Sequence, residues 1–380
     1  MTSVRQPYLS KARRIVLKVG SAVLTTPDGL NLPLIERLVA ESGALQGGER
    51  EFIIVSSGAI AAGCRKLGLS SRPTGIPEQQ AVAAAGQSAL MLAYEEAFAG
   101  FGLKVAQILL THDDLESRQR FLNARNTIFT LLQWRVVPII NENDTVATDE
   151  LKLRFGDNDN LAALICNLVG ADLLIILTDI DGLYDKDPRN HPDARLVPLV
   201  EAFDAKLEKA ASGRAGALGR GGMGSKLQAA KKAAAAGVPT IIANGLTPGI
   251  LKKIFAGEKV GTLFLPQAQK LKSRQYWLAY NVNPKGAILL DKGAWEALTK
   301  RHKSLLPAGI VAVFGGFGKG AAVQLMDPEG RPFAIGLSNY SARDIARIQG
   351  RQTQEIEQFL GQKGYDEVIH RDNLVIFPEI

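Results

Sequence analysis

Six short, almost wholly apolar runs recur over the first two-thirds of the chain, and each leads through small or polar residues into a helix-length stretch. The runs are "RIVLKVGS" (14–21), "EFIIVSSGA" (51–59), "KVAQILLT" (104–111), "RVVPIINEN" (135–143), "ADLLIILTDI" (171–180) and "VPTIIANG" (238–245). Helical patterns lie among them at 32–46, 78–99, 117–133, 158–169 and 224–236. A strand apolar along its whole length must be covered on both faces, and strands alternating with helices make a parallel sheet with the helices as covers. The pattern predicts an α/β fold, a mainly parallel sheet sandwiched by helices, with right-handed crossovers and its ligand at the carboxyl ends of the strands.

Polar residues gather at those ends. Lys18, Gly20 and Ser21 close the first run, Ser56, Ser57 and Gly58 the second, Asn141 to Asp144 the fourth, and Thr178 with Asp179 the fifth. Each alone reads equally well as a helix cap or turn residue. Together, on one rim, they describe a site.

A further polar stretch, "GRGGMGSK" (219–226), opens the last helical run. It is not a dinucleotide fingerprint, because a Gly/Ala/Ser loop precedes it and Asn244 stands where an acid is needed. Nor is it a nucleotide-hydrolase P-loop, because Ser225 comes before Lys226. Taken alone it reads equally as a flexible surface loop or as an anion cradle built from glycine amides, a helix N-terminus and Lys226.

Composition narrows the function classes. Of 380 residues, 46% are hydrophobic and 22% charged, as expected of a globular chain of two or three domains. Cys64 and Cys166 are far apart and read as thiols of a reducing compartment. His112, His191, His302 and His370 lack ligand spacing, so no zinc site is expected. No stretch reaches the roughly 18 apolar residues of a membrane helix, and the basic N-terminus lacks a cleavage site, so a cytoplasmic protein is expected. The net charge of +7 is spread out, with 12 basic and 11 acidic side chains in 281–380. RNA binding would call for a concentrated basic stripe, and a small anionic substrate fits a diffuse excess at least as well.

The pattern changes near residue 265. "PQAQKLKSRQYWLAYNVNPKG" (266–286) reads as a connector whose "YWLAY" packs between domains, and a strand-and-turn region rich in glycine follows. The division expected is a catalytic domain over 1–265, a connector over 266–283, a small mainly-β domain over 284–360 and a tail over 361–380.

The segments "IVLKVGSAVLT", "SSGAIAAG", "GQSALM", "RFLNARNT", "VPIINENDTVAT", "GDNDNLAAL", "LTDIDGLYDKDPR" and "GGMGSKLQAA" occur in one order over nearly the whole N-terminal region. In that order they resemble the amino acid kinase family, in the branch that acts on glutamate. The stretch 304–342, "SLLPAGIVAVFGG…IGLSNYSA", resembles a PUA domain. "INEND" followed by "GDNDN" and the C-terminal domain argue against branches acting on acetylglutamate, aspartate, carbamate or UMP.

The resemblance implies ATP-dependent, Mg2+-assisted phosphorylation of the L-glutamate γ-carboxylate, the first step of proline biosynthesis, with proline as inhibitor. It also implies a homo-oligomer and hand-over of the acyl phosphate to a glutamyl phosphate reductase. The PUA resemblance raises RNA binding as an alternative, which the near-neutral charge of that region and the complete kinase site before it disfavour, and no membrane partner is expected. By resemblance, Lys18, Lys226 and Asp159 are catalytic, and Ser57, Asp144 and Asn158 bind substrate. Thr178, Asp179, Arg220, Gly221, Gly222, Met223, Gly224, Ser225, Lys18 and Lys226 contact ATP. Three departures stand out. Arg220 and Ser225 replace common threonines, and the link "TVATDELKLRF" (145–155) is about two residues longer than in enterobacterial forms.

The chemistry is consistent with these residues. A carboxylate nucleophile is already ionised at neutral pH, so no general base is required and the absence of a candidate histidine is unsurprising. The difficulty is bringing an anion to a polyanion, which the two lysines would ease, with amides of Gly20, Gly58 and Gly221–Gly222 assisting. Asp157 and Asp159 read either as lysine-orienting acids or as a helix cap. Arg118, Arg120 and Arg125 read as surface or subunit-contact residues.

Overall fold

A computed structural model describes residues 4–46, 50–147, 158–203, 222–267, 270–361 and 364–377. The chain separates into two compact units, Met1–Lys270 and Leu271–Ile380.

The first unit is built on an eight-stranded sheet. Its strands are β1 (Arg14–Val19), β4 (Glu51–Ser56), β5 (Lys104–Leu110), β6 (Val136–Glu142), β7 (Leu173–Thr178), β8 (Leu199–Val200), β9 (Thr240–Asn244) and β10 (Thr262–Phe264). A two-strand ribbon, β2 (Thr25–Thr26) and β3 (Gly29–Leu30), stands apart. The spatial order is β5-β6-β4-β1-β7-β9-β10-β8. Every pair is parallel except β9 with β10. The six expected strands and the predominantly parallel sheet are therefore present.

Side chains of a strand point alternately to its two faces. In β1, Ile15, Leu17 and Val19 enter one core with Leu34, Leu38, Leu90, Tyr94 and Phe98, from helices Leu32–Gln46 and Ile76–Ala99. The even positions, Val16 and Lys18, take the other face. There helices Arg118–Gln133, Asn158–Val169 and Met223–Ala235 pack on one another, with Asn158–Val169 lying against β1 and β7. A strand buried along nearly its whole length thus carries one lysine into the interior.

The second unit has strands β11 (Ala287–Leu290), β12 (Ile310–Phe314), β13 (Ala322–Met326), β14 (Pro332–Leu337) and β15 (Leu374–Ile376), in the order β12-β11-β13-β14-β15. Its own core includes Ile288, Leu325, Ile345 and Val368. Two segments behave differently from the sequence expectation. Ser273–Tyr280, read as connector, is a helix that buries Tyr276, Trp277 and Leu278 and packs on β14 and β15 within this unit. The segment 361–380, read as a tail, supplies β15 as the edge strand beside β14.

Candidate active site

Because β1, β4, β6, β7 and β9 run parallel, their carboxyl ends meet on one rim, with β1 in the middle. Lys18 lies opposite Val55 of β4 and Ile176 of β7 in the ladder. Its ammonium is almost fully buried, which is tolerated only beside a counter-charge. Asp159, in the first turn of Asn158–Val169, provides one: Lys18 Nζ pairs with its Oδ1. Lys226, in the first turn of Met223–Ala235, reaches Asp159 Oδ2 at 3.2 Å. Ser225 Oγ donates to the same oxygen at 2.9 Å. Burial pushes the Asp159 carboxyl up, but Lys18 and Lys226 together hold it below its ordinary value, so it is ionised. Among the described residues, two ammonium groups converge on this one carboxylate, an arrangement that suits an incoming anion.

Beside this cluster, toward β4 and β6, lies a cavity of about 280 Å3. Its wall includes Ser57, Gly58, Arg72, Glu142, Asp144 and Asn158. The amide of Asn158 ties its helix to the ends of β4 and β6: its Nδ2 lies 2.9 Å from Ser56 O, 3.0 Å from Ser57 Oγ and 3.0 Å from Asn141 Oδ1, three acceptors that share its two N–H donors. Its own Oδ1 is buried and accepts no hydrogen bond among the described residues. Ser57 N–H donates to Val19 O, and Gly58 then turns with φ +100°, a conformation that favours glycine. Burial pushes the Asp144 carboxyl up to about 6, while the positive charge of Arg72 pulls it partly back.

On the opposite side of β1, Thr178 closes β7 and donates to Asp179 Oδ1 at 3.0 Å, while its carbonyl accepts from Gly245 N–H. Gly222 precedes the helix Met223–Ala235, whose N-terminus has no side-chain cap. Exposed amides at such an end favour an anion.

The structure thus brings Lys18, Asp159, Lys226 and Ser225 into one cluster, with Ser57, Asp144 and Asn158 lining the adjoining cavity. Thr178 and Asp179 stand on the far side of β1. Met223 and Gly224 lie in the first turn of the helix that carries Lys226. Arg220, Gly221, Asp157 and most of the 145–155 link lie outside the described residues. One expectation is corrected: the Gly20 amide is not available to an anion, because it donates to Leu177 O at 3.0 Å and extends the β1–β7 ladder. Arg120 pairs with Asp114 at 3.1 Å, and Arg118 and Arg125 lie over Phe121 and Phe129. Sequence reasoning missed Arg72, an isolated cation in a helix–helix loop with no surrounding pattern to mark it.

A profile of the amino acid kinase family matches residues 13–244, and one of the PUA domain matches 286–360. The glutamate 5-kinase of Geobacter sulfurreducens is 54% identical over 374 residues, covering 98% of this chain and all of that protein. The glutamate 5-kinase of Caldanaerobacter subterraneus subsp. tengcongensis is 50% identical over 364 residues, covering 96% and 97%. Among solved structures, carbamate kinase from Giardia lamblia bound to AMP-PNP aligns over 68% of this chain and all of its own, with TM-score 0.50 and 17% identity, a likeness of fold.

The family matched over this mainly parallel α/β unit is one of kinases, so the unit is that of a phosphotransferase. The chain belongs to the amino acid kinase family and carries a PUA domain after the kinase domain. Its relatives at about half identity are glutamate 5-kinases.

Proposed function

We propose that the chain transfers the γ-phosphoryl group of ATP to the γ-carboxylate of L-glutamate, giving L-glutamyl 5-phosphate and ADP, the first step of proline biosynthesis. The observation that carries the reading is the buried Lys18–Asp159–Lys226 cluster standing between a cavity with acidic and amide groups and the uncapped helix N-terminus at Gly222. The names of the relatives support the choice of glutamate.

The residues suit both substrates. A triphosphate end fits the two lysine ammonium groups and the amides at the helix N-terminus. Among the described residues no group of three or more His, Cys, Asp or Glu side chains is arranged to hold a metal. Magnesium would ride mostly on the nucleotide, because it keeps water and takes few protein ligands, and it would neutralise phosphate charge there. The carboxylate oxygen forms the new bond to the γ-phosphorus as the bond to the β,γ-bridging oxygen breaks, its electron pair leaving with ADP. Lys18 and Lys226 stabilise the equatorial oxygens, and Asp159 fixes both ammonium groups before the reaction begins. Among its described residues the cavity wall includes no histidine, and a carboxylate nucleophile needs none.

Proline shares the α-amino acid head of glutamate, so feedback at the Ser57/Asp144/Asn158 end follows from the same reading. The product is a reactive mixed anhydride, which suits direct hand-over to a reductase. The test is incubation with Mg-ATP and candidate acids in hydroxylamine, which traps an acyl phosphate as a hydroxamate. Glutamate-dependent hydroxamate is expected. Turnover of aspartate or N-acetylglutamate with none of glutamate would overturn the assignment.

A further inference from the structure

We propose that Arg72 binds the α-carboxylate of the acceptor and makes the site select a free amino acid over its decarboxylated analogue. The inference rests on the glutamate kinase reading and adds a specificity residue to it.

The charge inventory of the cavity leads there. Among its described wall residues, Glu142 and Asp144 are acids and Arg72 is the cation. Glutamate brings two carboxylates and one ammonium. Its γ-carboxylate has to face the phosphoryl group, at the Lys18 and Lys226 end. The ammonium and the α-carboxylate are then left at the end where β6 and the turn after it supply Glu142 and Asp144. Those acids suit the ammonium and repel the α-carboxylate, which needs a positive partner of its own. Arg72 stands in that wall, and its charge is felt by Asp144 across the cavity.

The side chain is also held in place. Arg72 is exposed at the mouth, in the loop between helices Ala59–Lys66 and Ile76–Ala99. Its Nη2 donates to Gln79 Oε1 at 2.9 Å, and the buried Gln79 donates in turn from Nε2 to Thr74 O at 3.2 Å. Gln79 holds one arm of the guanidinium, whose planar fork matches a carboxylate in geometry and charge. Tethering lowers the ordering cost of that contact.

The test compares glutamate with 4-aminobutyrate, which keeps the ammonium and the reacting carboxylate but lacks the α-carboxylate. In Arg72→Gln the KM for glutamate should rise roughly ten- to a hundredfold, the range for a lost charge-assisted contact, with kcat within about threefold. The Ki of 4-aminobutyrate as competitor should stay within about threefold, so the preference for glutamate collapses. Arg72→Lys, which retains charge without the fork, should fall between. A merely structural role would weaken both ligands together, and that result, or an unchanged preference in both variants, overturns the proposal. A wild-type enzyme that forms no hydroxamate from glutamate overturns the kinase reading itself and this inference with it, whereas a normal wild type with an unaltered Arg72→Gln preference removes the Arg72 role alone.

Discussion

Lys18 occupies a position that an apolar strand residue would fill more cheaply, and a single carboxylate makes it tolerable. Asp159 serves two ammonium groups and a hydroxyl at once, so each lysine is held by a contact that costs no reorganisation when charge builds on a transferring group. Lys18→Met and Lys226→Met should each lower kcat about 10²–10³-fold while changing KM less, checked by steady-state ADP release on folded protein. A near-normal kcat in either would remove that lysine from the chemistry. Ser225 fits the same logic, because a serine at this position still supplies the hydroxyl that reaches Asp159. Asp144 gives a pH signature. Its carboxyl titrates near 6 because burial disfavours the charged form, and an incoming ammonium favours the ionised form. Binding is therefore linked to loss of a proton below that pH and to none above it. The KM for glutamate should be flat above about pH 7 and rise as pH falls through 6, by at most tenfold per unit. Asp144→Asn should have a high KM without this slope. A slope that persists in the variant would place the titrating group elsewhere.

At the scale of elements, the cavity wall depends on a close helix crossing. Gly63 of Ala59–Lys66 and Gly86 of Ile76–Ala99 face one another so tightly that a Cβ at Gly86 would lie 1.8 Å from Ala59 O, and one at Gly63 would lie 1.9 Å from Val82 O. Both obstacles are backbone, so a side chain at either position must drive the helices apart. Gly86→Ala should cost about 2 kcal/mol or more, several degrees in Tm. Because Ala59 and Ile60 belong to the cavity wall, KM for glutamate should rise more than kcat falls. Thermal melts and kinetics on the same protein test this, and an unchanged Tm would mean the helices part without cost. The crossing was invisible in sequence, where "SSGAIAAG" and "GQSALM" were legible only as motif. The long parallel strands were legible because continuous burial leaves a continuous apolar run, as in β7. The strands β8, β10 and the β2–β3 ribbon are two or three residues each, too short to show any period, and their pairing is set by tertiary contacts. Lys18, Asp159 and Lys226 could be read off as candidates, yet their shared geometry could not, since it depends on β1 lying beside Asn158–Val169. Arg72 acquires meaning only once Gln79 and Asp144 are seen around it.

For the whole molecule, the division of the chain decides where it can be cut. The rim residues of the kinase site fall before Lys270, and the five-stranded sheet with its own core falls after it. The helix Ser273–Tyr280 belongs with the second part: it buries Tyr276, Trp277 and Leu278 and packs on β14 and β15. A chain ending at 283 therefore keeps this helix without the strands that cover it, leaving three large side chains exposed as an aggregation hazard. A chain ending at 270 avoids that. The last strand of the first unit, β10, lies before the cut and is paired by β9 and β8, so the sheet loses no member. Residues 1–270 should retain glutamate-dependent hydroxamate formation within about tenfold of the full chain, a barrier change of roughly 1.4 kcal/mol. Residues 1–283 should give less soluble protein, measured by size-exclusion chromatography at equal expression. A folded, soluble 1–270 protein with no detectable turnover would mean that the second unit completes the active site, and catalysis would then be a property of the whole chain instead of the kinase unit.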